Sequence, residues 1–282
     1  MDKQKELHLS MGEAIDRLQP NQAPRRNDMA STSTRSSTDW DLNTGYDQAV
    51  VLAEFGWRDK ASDLEGYLST VQELVRDSWS THLDVSGESV DIGAYLEGEP
   101  ECMLNYVVPE TKAIRMIASI SARCTADAPR LLNRGIAIAA AVYALQCSGV
   151  PVSLAASEWV SPSGYGRSDG AHTTSIEVNP FGDYIDAGRL AFWLGHPAAL
   201  RRCFFRFQEQ QSKEVREQFG FYEGSGYGQP INPKSDAPEL QGAVFIPFPE
   251  TSDLGLYQTP AKAFETVREI LSKQGVDLSL RG

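Results

Sequence analysis

Apolar residues recur along the chain at two different periods, and the change of period divides it. Residues 1–42 hold one short helical pattern, Leu9, Met11, Ala14, Ile15 and Leu18. Ser10 and Glu13 have the spacing of a capping box, in which each side chain satisfies the other residue's free backbone N–H. Residues 20–39, PNQAPRRNDMASTSTRSSTD, have almost nothing to bury and are expected to be a mobile linker, since they cannot offset their ordering entropy. Residues 1–42 are therefore read as a flexible tail with one short helix. From Asn43, Thr44 and Asp47 form a second capping-box spacing, and Tyr46, Ala49, Val50, Ala53 and Trp57 trace one helical face. Leu64, Tyr67, Leu68, Val71, Leu74, Val75 and Trp79 trace another, so residues 43–110 are expected to open with an antiparallel helical hairpin. HLDVSG then reads as a short strand into a turn, and VDIGAYLEGEP as a helical piece ending near Gly98.

From Thr111 the period shortens to two. Ile114, Met116, Ala118 and Ile120 alternate with Arg115, Ile117, Ser119 and Ser121, which predicts a strand. Asp127 and Pro129 signal a helix start, and Gly149 and Pro151 supply its stop. VPVSLAASEWV is a second strand and TTSIEV a third, close enough behind to predict a hairpin. Residues 183–210 read as two helices parted at Gly195-His196-Pro197, followed by a Gly- and Pro-rich loop to about Leu240. AVFIPF is a short strand, Thr259 and Pro260 open a last helix, and VDLSL is expected to close the sheet. Strands alternating with helices over residues 111–282 predict an α/β domain. Its sheet should be mostly parallel, with helices on both faces and one antiparallel strand.

Composition leaves room for a sizeable core, with 41% hydrophobic and 23% charged residues. The formal charge of −12 argues against a broad nucleic-acid or anionic-membrane surface. Arg201, Arg202 and Arg206, interleaved with Phe204, Phe205 and Phe207 at helical spacing, read as the solvated face of an amphipathic helix, with a local basic patch as the alternative. No run of apolar residues is long enough for a membrane span, and the first ten residues lack a secretory pattern. Cys102, Cys124, Cys147 and Cys203 are far apart in apolar surroundings, as suits free thiols in a reducing, cytoplasmic compartment. Neither they nor His8, His82, His172 and His196 show the paired spacing of a zinc site. No cofactor is expected: phosphate-loop and nucleophile-elbow spacings are lacking, and Pro230 and Pro233 follow the Gly224–Gly228 loop where a phosphate-binding helix would start.

The order strand, helix, two strands, helices, strand, helix, strand resembles the von Willebrand A domain, including its antiparallel third strand. That resemblance implies a metal site beginning Asp-x-Ser-x-Ser after the first strand. This chain reads Ala118-Ser119-Ile120-Ser121-Ala122 there, and Pro247-Phe248-Pro249-Glu250 where a further aspartate is implied, so metal binding does not carry over. More locally, several segments resemble an uncharacterised family met mostly in tailed-phage genomes. They are Gly56-Trp57, the Val85–Asp91 and Tyr95–Met103 stretches, Arg134-Gly135 and Gly149-Val150-Pro151-Val152. This implies a phage source acting in the bacterial host and no particular chemistry.

Two places are candidates for recognition. Ser-Gly-Tyr-Gly occurs at residues 163–166 and 225–228, each in a loop after sheet elements, where binding residues of α/β sheets gather. Tyr165 and Tyr227 are expected to rim a shared surface with Glu158, Asp169 and His172. The Arg115 face of the first strand, with Ser119 and Ser121, is the other candidate, either lining a pocket or packing against a helix. These features favour a non-catalytic interaction or adaptor protein with a protein partner. A small-molecule-binding protein or enzyme is the alternative, and a virion structural component a third class.

Overall fold

The computed structural model describes residues 6–19, 28, 30, 38–59, 80–87, 89–107, 112–123, 126–162, 170–183, 186–222 and 226–278. The chain enters as a strand, β1 (Glu6–Ser10), with Leu7 and Leu9 buried and Glu6, His8 and Ser10 exposed. Ser10 then caps α1 (Met11–Leu18) through the reciprocal box its sequence predicts. The Glu13 N–H donates to Ser10 Oγ, and the Ser10 N–H donates to Glu13 Oε2 at 2.9 Å. Leu7, Leu9, Ala14 and Leu18 all belong to the main core. The described part of the expected flexible tail is thus built into the fold: β1 is hydrogen-bonded along β7, and burial of Leu7 and Leu9 together with Ala14 and Leu18 opposes the entropy of ordering it.

A single helical turn, Thr38–Asp41, precedes α2 (Tyr46–Phe55). Its N-cap is Gly45 and makes no side-chain cap bond; the Thr44 hydroxyl instead lies 3.5 Å from His196 Nε2. The expected partner helix of the hairpin, residues 64–79, lies outside the described residues. The next segment forms a small antiparallel sheet in the order β2 (Ser80–Asp84), β4 (Met103–Val107), β3 (Ser89–Val90), with a short helix α3 (Ile92–Glu97) between β3 and β4. The sequence pattern marks β2 and α3 but not β4.

The main sheet is assembled from β5 (Ile114–Ser119), β6 (Val152–Ser161) and β7 (His172–Asn179), with β8 (Gln229–Pro230) and β9 (Ala243–Ile246). Its order is β1-β7-β6-β5-β9, and β8 pairs with β6. β5 is parallel to β6 and β9, β1 is parallel to β7, and β6–β7 is the antiparallel hairpin. The protein is therefore α/β, with a mostly parallel mixed sheet flanked by helices and a separate small antiparallel sheet. No described helix is long and apolar enough to cross a membrane.

Between β5 and β6 runs α4 (Ala128–Cys147), capped by Asp127 and buried along most of its length. Its alanines allow close neighbours. At Gly135 an added Cβ would lie 2.5 Å from the Gly195 Cα, so two backbones touch there. After β7, α5 (Ala187–Leu190) continues into a π-helical turn, Ala191–Gly195. A second π-helical turn, Ala199–Phe204, leads into α6 (Phe205–Glu209), and the break falls at Gly195-His196-Pro197. Then come α7 (Lys213–Phe219) and, past β9, α8 (Pro260–Ser272), capped by Thr259. Val276–Leu278 does not form the expected closing strand; Val276 and Leu278 instead drop into the core as irregular chain.

Candidate functional site

Of the residues singled out in the sequence, Tyr165 and Asp169 lie outside the described residues. The other five are all interior, each no more than 3% exposed. Ser119 ends β5 with its Oγ buried and without a hydrogen-bond partner. Ser121 accepts from the Trp159 N–H at 3.2 Å and donates to the Trp159 carbonyl at 3.4 Å, extending the β5–β6 ladder past the end of the strand. Of that face, only Arg115 remains exposed, donating to the Glu239 carbonyl at 3.3 Å. At the carboxyl end of β9 the buried Arg134 guanidinium donates to the carbonyls of Ile246 and Pro247, and Arg123 pairs with Glu250 at 2.7 Å. Among the described residues no three His, Cys, Asp or Glu side chains gather as metal ligands.

Glu158 and His172 do come together. Glu158 on β6 is opposite Thr174 on β7, and His172 is opposite Val160. Same-face residues alternate along each strand, so Glu158 and His172 are diagonal neighbours, about 7 Å apart in such a ladder. The Gln208 amide on α6 donates to Glu158 Oε2 at 2.5 Å. Burial pushes the Glu158 carboxyl up to about 8, the Gln208 bond offsetting only part of this. Burial likewise pushes His172 down to about 4. Its ring packs against Phe219 and Phe221 with centroids 5.5 and 5.1 Å apart, and among the described residues neither nitrogen has a hydrogen bond within normal geometry, while the Gln211 side chain acts against the shift. At neutral pH both groups are uncharged and away from water, an arrangement suited to holding two strands and a helix together. A general acid or base must reach a substrate, and these do not.

Tyr227 departs furthest from expectation. With φ at 57°, between Gly226 and Gly228, it turns inward. Its ring stacks on Phe205 at 4.3 Å and its hydroxyl donates to Glu209 Oε1 at 2.6 Å. It is packing, where a recognition rim was expected. Glu209 also accepts from the Ala30 N–H at 2.7 Å and pairs with Arg206 at 3.5 Å; its carboxyl is raised, chiefly by burial.

The arginines of this region are buried as well, correcting their reading as a solvated face: Arg201, Arg202 and Arg206 are 3%, 1% and 4% exposed. Arg202 donates to Asp41 Oδ2 at 2.8 and 3.1 Å and to the Ala30 carbonyl at 3.1 Å, with its guanidinium 4.9 Å from the Trp40 ring centre. Arg201 donates to the Trp40 carbonyl. Asp28 pairs with Arg206 at 3.4 Å and with Arg216 at 3.1 Å. Charged groups enter an interior when paired and hydrogen-bonded, and here the pairing holds Asp28, Ala30, Trp40 and Asp41 against α6, α7 and the turn before them.

Among the described residues, two surfaces bear on how a partner could be met. One is a cavity of about 330 Å³ on the sheet, lined among others by His8, Arg115, Ser153, Ser175 and Glu177. The other is the small sheet with α3. Among the described residues, six of the ten exposed large hydrophobic side chains fall within it: Leu83, Val85, Val90, Ile92, Tyr95 and Leu96. No sequence periodicity singled it out, because α3 is short and its stripe, Ile92, Tyr95 and Leu96, looks like any core-facing stripe.

The fold and these surfaces define an α/β protein in which Ser119, Ser121, Glu158, His172 and Tyr227 serve the interior, and in which most of the described exposed large hydrophobics lie on the 80–107 appendage. Over residues 4–278 the chain matches the family model of a domain of unknown function, DUF7192, and it belongs to that family. No curated protein and no solved structure matches it.

Proposed function

We propose that the protein is a non-catalytic interaction protein, phage-encoded and acting in the cytoplasm of the bacterial host. The clustering of exposed apolar side chains on the 80–107 appendage carries this reading. Ile92, Tyr95 and Leu96 are 70%, 64% and 77% exposed at spacings of three and four on one helix. Contiguous apolar exposure of this kind marks contact sites. The phage origin rests on the motif resemblance, and the antiparallel β7 and the strand alternation support the von Willebrand A likeness. The test is affinity capture of the full-length chain from host lysate beside Tyr95→Ser/Leu96→Ser. A stoichiometric partner lost by the variant is the expected result, and identical captures from both chains would overturn the reading.

The sheet cavity favours a second reading, a small-molecule-binding protein. Its volume is at the low end for ligand sites, and it offers a guanidinium, a carboxylate and hydroxyls. A metabolite that raises the melting temperature of the native chain, and not of Arg115→Ala, would support it.

A further inference from the structure

The appendage has a charge as well as an apolar stripe. Residues 80–107 contain six carboxylates, Asp84, Glu88, Asp91, Glu97, Glu99 and Glu101, and no Lys or Arg. This tenth of the chain thus carries six of its twelve net negative charges. The carboxylates bracket the stripe in sequence: Asp91 immediately precedes Ile92, and Glu97 and Glu99 follow Leu96.

The scaffold beneath is organised. Asp91 caps α3 by accepting from the Ala94 N–H at 3.0 Å, while its own N–H donates to the Cys102 carbonyl at 2.8 Å. Val90 pairs with Met103, and Gly98 ends the helix in the left-handed region at φ 78°. The stripe is therefore displayed by a built element. Such an element binds by complement: apolar residues on the partner cover Ile92, Tyr95 and Leu96, and positive charges meet the rim.

We propose that this face docks a Lys- and Arg-rich amphipathic helical segment of a protein partner. The inference rests on the interaction reading above and adds the partner's chemistry. Nucleic acid and anionic lipid are disfavoured by the same six carboxylates. An apolar stripe at spacings of three and four suits a partner helix whose own apolar residues repeat at that spacing.

The test is selection from a displayed library of ~16-residue peptides, apolar at helical spacing and randomised between Lys, Arg, Glu, Gln and Ser elsewhere. The bait is the full-length protein. Enriched peptides are expected to be strongly basic and to bind Tyr95→Ser/Leu96→Ser at least ~10-fold more weakly. They should also lose about 10-fold in affinity between about 50 and 300 mM salt. Both side chains are exposed, so the variant should keep the parent melting temperature, which separates lost binding from lost folding. Enrichment of neutral or acidic peptides, no enrichment, or basic peptides indifferent to the variant would each overturn the proposal. If lysate capture still depends on Tyr95 and Leu96 in such a case, the interaction reading survives without this partner. If capture is also indifferent, both fall.

Discussion

Single residues in this protein are set by what their neighbours leave free, and two substitutions separate that from local propensity. Replacing a helical Gly by Ala ordinarily stabilises by up to about 1 kcal/mol. At Gly12 in α1 nothing lies within 4 Å of the added methyl, so Gly12→Ala should show that gain. At Gly135 the methyl meets Gly195 Cα at 2.5 Å, Gly195 N at 2.6 Å and the Leu194 carbonyl carbon at 2.7 Å, all backbone that cannot rotate away. Overpacking of about 1–3 kcal/mol then exceeds the propensity gain, and Gly135→Ala should lower the urea midpoint while Gly12→Ala raises it. Tyr227→Phe keeps the stack on Phe205 and deletes the hydroxyl bond to Glu209. Losing a buried bond to a carboxylate should cost about 1–3 kcal/mol in the same measurement. Partner capture should be unchanged, since the tyrosine is interior; reduced capture at unchanged stability would restore it to a recognition role.

Elements were legible where one signal dominated and hidden where two overlapped. β5, α4, β6, β7, β9 and α8 each had clean alternation or a cap-to-stop frame. In β1 the alternation of Leu7 and Leu9 spans only five residues and merges with the helical pattern that Leu9 and Met11 begin, so the strand is masked by its successor. The Glu158–His172 pairing was within reach, because the β6–β7 hairpin fixes which residues share a face. The burial of Arg201, Arg202 and Arg206 was not: Arg202 and Arg206 pair with Asp41 and Asp28 and Arg201 donates to the Trp40 carbonyl, all more than 150 residues earlier, and nothing local distinguishes a paired arginine from a solvated one. This clamp makes its own prediction. Asp41→Asn leaves the Arg202 guanidinium, 1% exposed, without its carboxylate, and should destabilise by about 3 kcal/mol. The double variant Asp41→Leu/Arg202→Met should recover much of that loss in a double-mutant cycle, because an uncompensated buried charge costs more than a missing pair. Additive losses would mean that Asp41 and Arg202 are held by something other than this ion pair.

Across the whole molecule, buried groups with displaced proton affinities give stability a shape in pH. His172 and His196 are both pushed down to about 4, chiefly by burial. Between about pH 4 and 6.5 the unfolded chain therefore binds two protons that the native state does not, and stability falls as pH falls through that range. Glu158 acts in the opposite sense. Its native carboxyl holds its proton up to about 8 while the unfolded one releases it near the ordinary value, so stability falls as pH rises from about 4.5 to 8. Glu209, also raised, adds to that decline. The two histidines outweigh Glu158 below pH 6.5, a net rise that Glu209 lessens, and above it the two carboxyls give a fall. The melting temperature should therefore peak near pH 6.5. Glu158→Gln keeps an acceptor for the Gln208 amide without an ionisable proton, so it should flatten the alkaline limb and leave the acid limb steep. His172→Phe, which keeps a ring between Phe219 and Phe221, should halve the histidine contribution to the acid limb. Thermal melts at half-unit steps from pH 4.5 to 8.5 decide it. An alkaline limb unchanged in Glu158→Gln would mean that this carboxyl is already ionised in the native state, and the uncharged interior inferred for the β6–β7 site would have to be given up.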